Sequence, residues 1–119
     1  MSILHTSAIT IAVSNMANSI EFYGKLGFAV TYGDENSFFT TLRINQCVIN
    51  LILATGSRQD WWGRMILRVE DVDKMYQSLL ATGLTPEEPR NAAWGERFFH
   101  MWDPDGHEIS LAHKLHRSP

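Results

Sequence analysis

The feature that most constrains this chain is that it is written twice. Offset by 56 positions, "ITIAVSNMANSIEFYGKLGF" lies over "MILRVEDVDKMYQSLLATGL". Val13 then falls on Val69, Gly27 on Gly83, and Ile9, Ile11 and Phe28 on Met65, Leu67 and Leu84. Offset by 60, Phe38 and Phe39 fall on Phe98 and Phe99, and Ile49 and Leu51 on Ile109 and Leu111. Few of these matches are identities, but the order of apolar and turn residues agrees throughout. A repeat of this length is the mark of one supersecondary unit used twice.

Each copy opens with an alternating strand, Ile9 to Val13 or Met65 to Val69, and continues into a helix. Ser14 or Asn15 can cap the first helix and Asp71 the second, while Gly27 and Gly83 suit a left-handed residue just past the helix end. Three more strands complete each copy. They are expected at about 29–32, 37–44 and 47–54, then at 87–91, 97–102 and 107–113. The stretch "TGSRQDWWG" is read as the link between halves. The pattern is strand, helix, three strands, twice over.

The segment "FFHMWDPDGHEISLA" fixes a register. Pro104 presets φ for a turn, Asp105 suits the next position, and Gly106 can take the left-handed conformation of a three-residue hairpin loop. Asp103 then faces His107, Trp102 faces Glu108, and His100 faces Ser110. Phe98, His100, Trp102, Glu108, Ser110 and Ala112 share one face. Phe99, Met101, Ile109 and Leu111 share the other, which is wholly apolar and should pack under the helices. The acidic turn residues are read as structural. The same alternation puts Ala8, Thr10 and Ala12 on the mixed face of the first copy, joined by Phe38, Thr40, Leu42, Asn50 and Ile52. In the second copy it puts Arg64, Ile66 and Arg68 there. Mostly apolar surface with a few convergent polar groups is the make-up of a small-molecule pocket.

The chain is 119 residues long, enough for one domain, 1–119, built of modules at about 1–56 and 60–115. A net charge of −3 and the lack of any Lys/Arg run argue against nucleic acid as a partner. No apolar run approaches the roughly 18 residues of a membrane span. No basic segment followed by a long apolar one opens the sequence, so a cytoplasmic location is expected. The single cysteine, Cys47 in "QCVINLIL", reads as a buried apolar residue. His5, His113 and His116 read as surface residues near the termini.

The segments "ITIAVSNMANSIEFYGKLGF", "LRVEDVD" and "WGERFFHMWDPDGHEISL" resemble the vicinal oxygen chelate superfamily, which includes glyoxalase I, extradiol dioxygenases and bleomycin-resistance proteins. The pattern from Trp94 to Gly106 is the most specific part and is closest to the bleomycin-resistance branch. The resemblance covers nearly the whole chain. It implies an α+β fold of two tandem βαβββ modules in a curved mixed sheet around a cleft, commonly as a homodimer that can pair modules across chains. Metal-using members take His, Glu or Gln ligands from four places, which here are Ala8, Asn50, Arg64 and Ser110. These lack the donors of a catalytic divalent metal site, so the expectation is no metal and no cofactor. A second set, built on His100 and Glu108, shows no helical His-Glu motif spacing.

Arg64 and Arg68 lie four positions apart on one strand, an even spacing, and project to the same face. Either they form ion pairs, Arg68 with Glu108, or at least one receives a ligand's carboxylate, phosphate or carbonyl. The chain holds four tryptophans, of which Trp61, Trp62 and Trp102 are placed to stack on a planar ligand. Ser110 beside His100 has no evident third residue to orient the histidine. The candidate ligand-binding set is Arg64, Arg68, Trp61, Trp62, Phe38, Asn50, Phe98, His100, Trp102, Glu108 and Ser110, with no catalytic residue assigned. The expected function is metal-independent binding of a planar small molecule, such as an antibiotic. The alternatives are a glyoxalase- or dioxygenase-like lyase or isomerase with a divergent metal site, and an accessory domain that binds protein partners.

Overall fold

The computed structural model describes residues 2–54 and 62–115. The chain divides into two compact units, Met1–Arg58 and Gln59–Pro119. The first contains β1 (Ile9–Val13), α1 (Met16–Lys25), β2 (Ala29–Tyr32), β3 (Phe39–Ile44) and β4 (Cys47–Leu53). The second contains β5 (Arg64–Arg68), α2 (Val72–Ala81), β6 (Arg90–Asn91), β7 (Glu96–Trp102) and β8 (Glu108–Lys114). Each unit carries one four-stranded mixed sheet, in the order β1-β4-β3-β2 or β5-β8-β7-β6. The opening strand runs parallel to the last strand of its unit, and the remaining pairs are antiparallel. The repeat in the sequence is a repeat in the fold. The proposed link between halves falls largely on residues 55–61, outside the described residues, and so does Trp61.

The helices begin and end as local chemistry dictates. Asn15, rather than Ser14, caps α1 by accepting from the Asn18 N–H at 2.9 Å. Asp71 caps α2 by accepting from the Lys74 N–H at 3.1 Å. Gly27 and Gly83 follow the last turns with φ of 107° and 92°, values that carry no steric penalty in glycine alone.

One face of each sheet lies under its helix. In the first unit Leu42 of β3 and Ile49 and Leu51 of β4 lie on the face that meets α1, Ile11 and Val13 of β1 share that face, and all are buried together with Met16, Phe22 and Tyr23 of α1. In the second unit Met65, Phe99, Met101, Ile109 and Leu111 form the equivalent layer, with Val72 and Leu79 from α2. Tyr76 of α2 meets the edge of Phe99 at 5.8 Å between ring centroids. Burying an aliphatic or aromatic side chain of this size contributes about 1.5–3 kcal/mol, so these layers hold the strands in register.

The register of the second sheet follows the turn chemistry. Asp103 Oδ1 accepts from the N–H groups of Asp105 (2.9 Å) and His107 (2.8 Å), and Gly106 sits at φ 85°. Trp102 faces Glu108, His100 faces Ser110 and Phe98 faces Ala112.

The first sheet requires a correction. Thr40 pairs with Leu51, Leu42 with Ile49, and Thr41 with Asn50. Thr40 and Leu42 therefore lie on the helix-covered face and are buried, and Phe38 shares their parity just before β3. The residues that accompany Asn50 and Ile52 are Thr41 and Phe39. The cause is turn length. Ile44 faces Cys47 across only Asn45 and Gln46, with Asn45 at φ 52°, whereas the second hairpin needs more residues to turn. A one-residue difference in a hairpin loop exchanges the faces of every residue before it. Smaller differences also appear. β5 begins at Arg64 instead of Met65, β6 is reduced to Arg90–Asn91, and β3 starts at Phe39.

Candidate functional site

The sheet face opposite α2 is built of three rungs. Arg64, Glu108 and Trp102 form the first; Ile66, Ser110 and His100 the second; Arg68, Ala112, Phe98 and Arg90 the third. Side chains alternate along each strand, so a rung contributes all its side chains to this one face. Charge sits on its flanks and aromatic carbon in its middle. Ile66 is 65% exposed on this face, and Trp102 is 45% exposed.

On the first rung Arg64 Nε donates to Glu108 Oε2. The expected pairing of Arg68 with Glu108 is thus replaced. Arg68 lies opposite Ala112, two rungs from Arg64, and reaches Glu96 at 3.6 Å instead. On the second rung His100 Nδ1 and Ser110 Oγ are 2.6 Å apart. Burial pulls the His100 imidazole below its ordinary pKa, with Glu108 and Glu87 pulling the other way and Arg64 and Arg90 adding to the downward shift. The surroundings of His100 thus favour its neutral form. On the third rung Phe98 is the centre of an aromatic row. Its ring lies 5.0 Å from that of His100, tilted by 54°, and Trp94 stacks on it at 5.8 Å with 25° between planes. The guanidinium carbon of Arg90 sits 4.9 Å from the Phe98 centroid. Trp94 and Arg90 are absent from the set expected from the sequence. Cross-strand pairing brings Arg90 to Phe98, and the loop before β7 brings Trp94; the Trp94-to-Gly106 pattern was the sequence signal for Trp94, and Arg90 lies outside it.

Trp62 is half-exposed and held at its indole. Its indole N–H donates to His107 Nδ1 at 2.7 Å, joining the segment before β5 to the turn before β8. His113 is not a surface residue. It is half-buried on the helix side, and its Nδ1 accepts from the Val72 N–H at 2.8 Å. Cys47 is half-buried at the start of β4, where burial raises its thiol pKa.

On the first sheet's open face, the Thr41 hydroxyl donates to Asn50 Oδ1 at 2.7 Å and Asn50 Nδ2 donates to Thr10 Oγ1 at 3.2 Å. Both ends of the Asn50 amide are thereby engaged by the protein. The four positions at which metal-using relatives would carry ligands are Ala8, which has no donor, Asn50 in this chain of hydrogen bonds, Arg64 beside Glu108, and Ser110 on His100. This donor set does not fit a divalent first-row metal, which takes imidazole, carboxylate or thiolate. Among the described residues no group of three or more His, Cys, Asp or Glu is placed to hold a metal. No described helix is long and apolar enough to cross a membrane.

Two βαβββ units, each with a helix-covered face and an open face, define the paired-module class of α+β proteins. The chain belongs to the glyoxalase/bleomycin resistance protein/dioxygenase superfamily, whose family model matches residues 2–111. Solved structures share the fold. The bleomycin resistance determinant encoded on transposon Tn5 is 18% identical, with 93% of this chain and 98% of that one covered at a TM-score of 0.80. A bleomycin-binding protein complexed with bleomycin is also 18% identical, covering 96% and 100% at 0.78. TnmS3, an antibiotic-binding protein from Streptomyces sp. CB03234, is 24% identical, covering 96% and 98% at 0.76. No curated protein sequence matches significantly.

Proposed function

We propose that this protein is a metal-independent binder of a planar, partly apolar small molecule that carries an anionic or carbonyl-rich group, of the kind found among antibiotics. The observation that carries this reading is the open face of the second sheet. It has an aromatic row of Phe98, His100 and Trp102 with guanidinium groups at its margins. Stacking on aromatic surface favours planar ligands with little loss of side-chain entropy, and guanidinium groups suit oxyanions and carbonyls. Ser110 and Glu108 hold His100 and Arg64 in place. Trp62 belongs to the same proposed ligand set; Trp61 lies outside the described residues, the Asn50 amide is taken up by Thr41 and Thr10 on its own sheet, and Phe38 is withdrawn because of its parity. The relatives that bind bleomycin or another antibiotic support the ligand class, and the poor donor set at Ala8, Asn50, Arg64 and Ser110 supports independence from metal.

The test is a thermal-shift and tryptophan-fluorescence screen of planar compounds, run with EDTA and again with added Zn, Ni, Fe or Mn. The expected result is a compound that quenches tryptophan emission and raises Tm equally under both conditions, without being turned over. Binding that requires one metal per chain, or turnover that depends on it, overturns the reading.

A further inference from the structure

We infer that Arg90 receives the ligand's anionic group and that Trp94 carries the ligand's ring, so that the preferred ligands are planar carboxylates. This deepens the reading of the open face as a ligand surface and rests on it. The sequence points to Arg64 as the anchor, but Arg64 is engaged with Glu108 and Arg68 lies 3.6 Å from Glu96. Arg90 differs from both. Among the described residues its guanidinium has no hydrogen-bond or ion-pair partner, and its contact is with the ring of Phe98. A guanidinium held against an aromatic ring is positioned without using up its N–H donors, which stay available for a bidentate carboxylate. Arg90 is exposed on β6, the edge strand of its sheet. Of the carboxylates near this margin, Glu96 is taken up by Trp94 and Arg68 and Glu108 by Arg64, while Glu87, whose N–H donates to the His100 carbonyl, makes no ion pair with Arg90.

Trp94 supplies the stacking surface. Its indole N–H donates to Glu96 Oε1 at 2.9 Å and it lies against Phe98, so its orientation is set from two sides. Even so, it is 68% exposed, a large apolar plane left open to solvent. Ring and cation thus flank the same phenyl group, which matches the layout of an aromatic carboxylate.

The probes are 2-naphthoate and its neutral counterpart 2-naphthamide, titrated against the full chain by tryptophan fluorescence and by the arginine Nε–H resonances. The naphthoate is expected to bind roughly tenfold or more tighter than the amide, as for a hydrogen bond to a charged group. Arg90→Gln should abolish that preference, and Trp94→Leu should weaken both compounds alike. Arg43→Gln, on the first sheet, should change neither. Both side chains under test are exposed, so the variants should fold, which circular dichroism checks. If the preference for naphthoate survives Arg90→Gln, or if amide and acid bind equally, the assignment of Arg90 is overturned while the ligand surface stands. If neither naphthyl compound nor any other planar compound in the screen binds, both readings fall.

Discussion

His100 shows how a single residue on the open face is tuned. Burial disfavours its charged form, so the folded protein holds this imidazole below the ordinary 6.5 while the unfolded chain does not. The unfolded state therefore takes up a proton first as pH falls. The stabilising contribution of neutral His100 is fully present above about pH 6.5 and is lost as pH falls through the lower folded value. Urea unfolding should show stability declining from pH 7 towards pH 5, and His100→Asn should flatten that decline. An unchanged pH slope in the variant would mean that other groups carry it. His100 was legible as a cavity-facing residue because the Asp103–Gly106 turn set the register. The stacking of Trp94 on its neighbour Phe98 was not, since that depends on where a loop lies.

At the scale of elements, the N-terminus of α2 is held from three directions. Asp71 caps it, His113 of β8 accepts from the Val72 N–H, and Asp73 forms a forked pair with Arg97 of β7, whose Nε and Nη2 donate to the carboxylate at 2.9–3.1 Å. The Arg97 guanidinium holds the Asp73 carboxyl below the usual carboxylate range. That contribution is present above the unfolded pKa of 3.8 and lost as pH falls through the lower folded value. The pair is largely solvent-exposed, so Arg97→Gln should cost only about 0.2–1 kcal/mol. Asp71→Ala removes a backbone partner and should cost about 0.5–2 kcal/mol. Urea denaturation of both variants checks the order, and a larger loss for Arg97→Gln would refute it. The cap was readable in the sequence because it is local. The role of His113 was not, because a strand far along the chain supplies it.

For the whole molecule, each sheet ends in edge strands that no other described strand pairs, β1 and β2 in one unit and β5 and β6 in the other. Strand edges are liabilities that association can cover. We therefore expect a homodimer, seen by size-exclusion chromatography with light scattering at micromolar concentration as twice the 13.6 kDa chain mass. A species of single-chain mass across that range would count against it.

The sequence by itself determined the duplicated strand–helix–three-strand order, the cap at Asp71, a first-helix cap at Ser14 or Asn15, and the register of the second hairpin. Each depends on residues close together in the chain, where alternation and turn chemistry act directly. It misassigned the face of Phe38, Thr40 and Leu42 because the repeat suggests equal hairpins, and a one-residue difference in turn length reverses alternation without changing hydrophobicity. The partners of Arg64, Arg68, Arg90 and His113 were decided only by tertiary structure. Ion pairs and rung neighbours depend on which strands lie side by side and at what stagger, and that is fixed when the apolar faces pack beneath the helices.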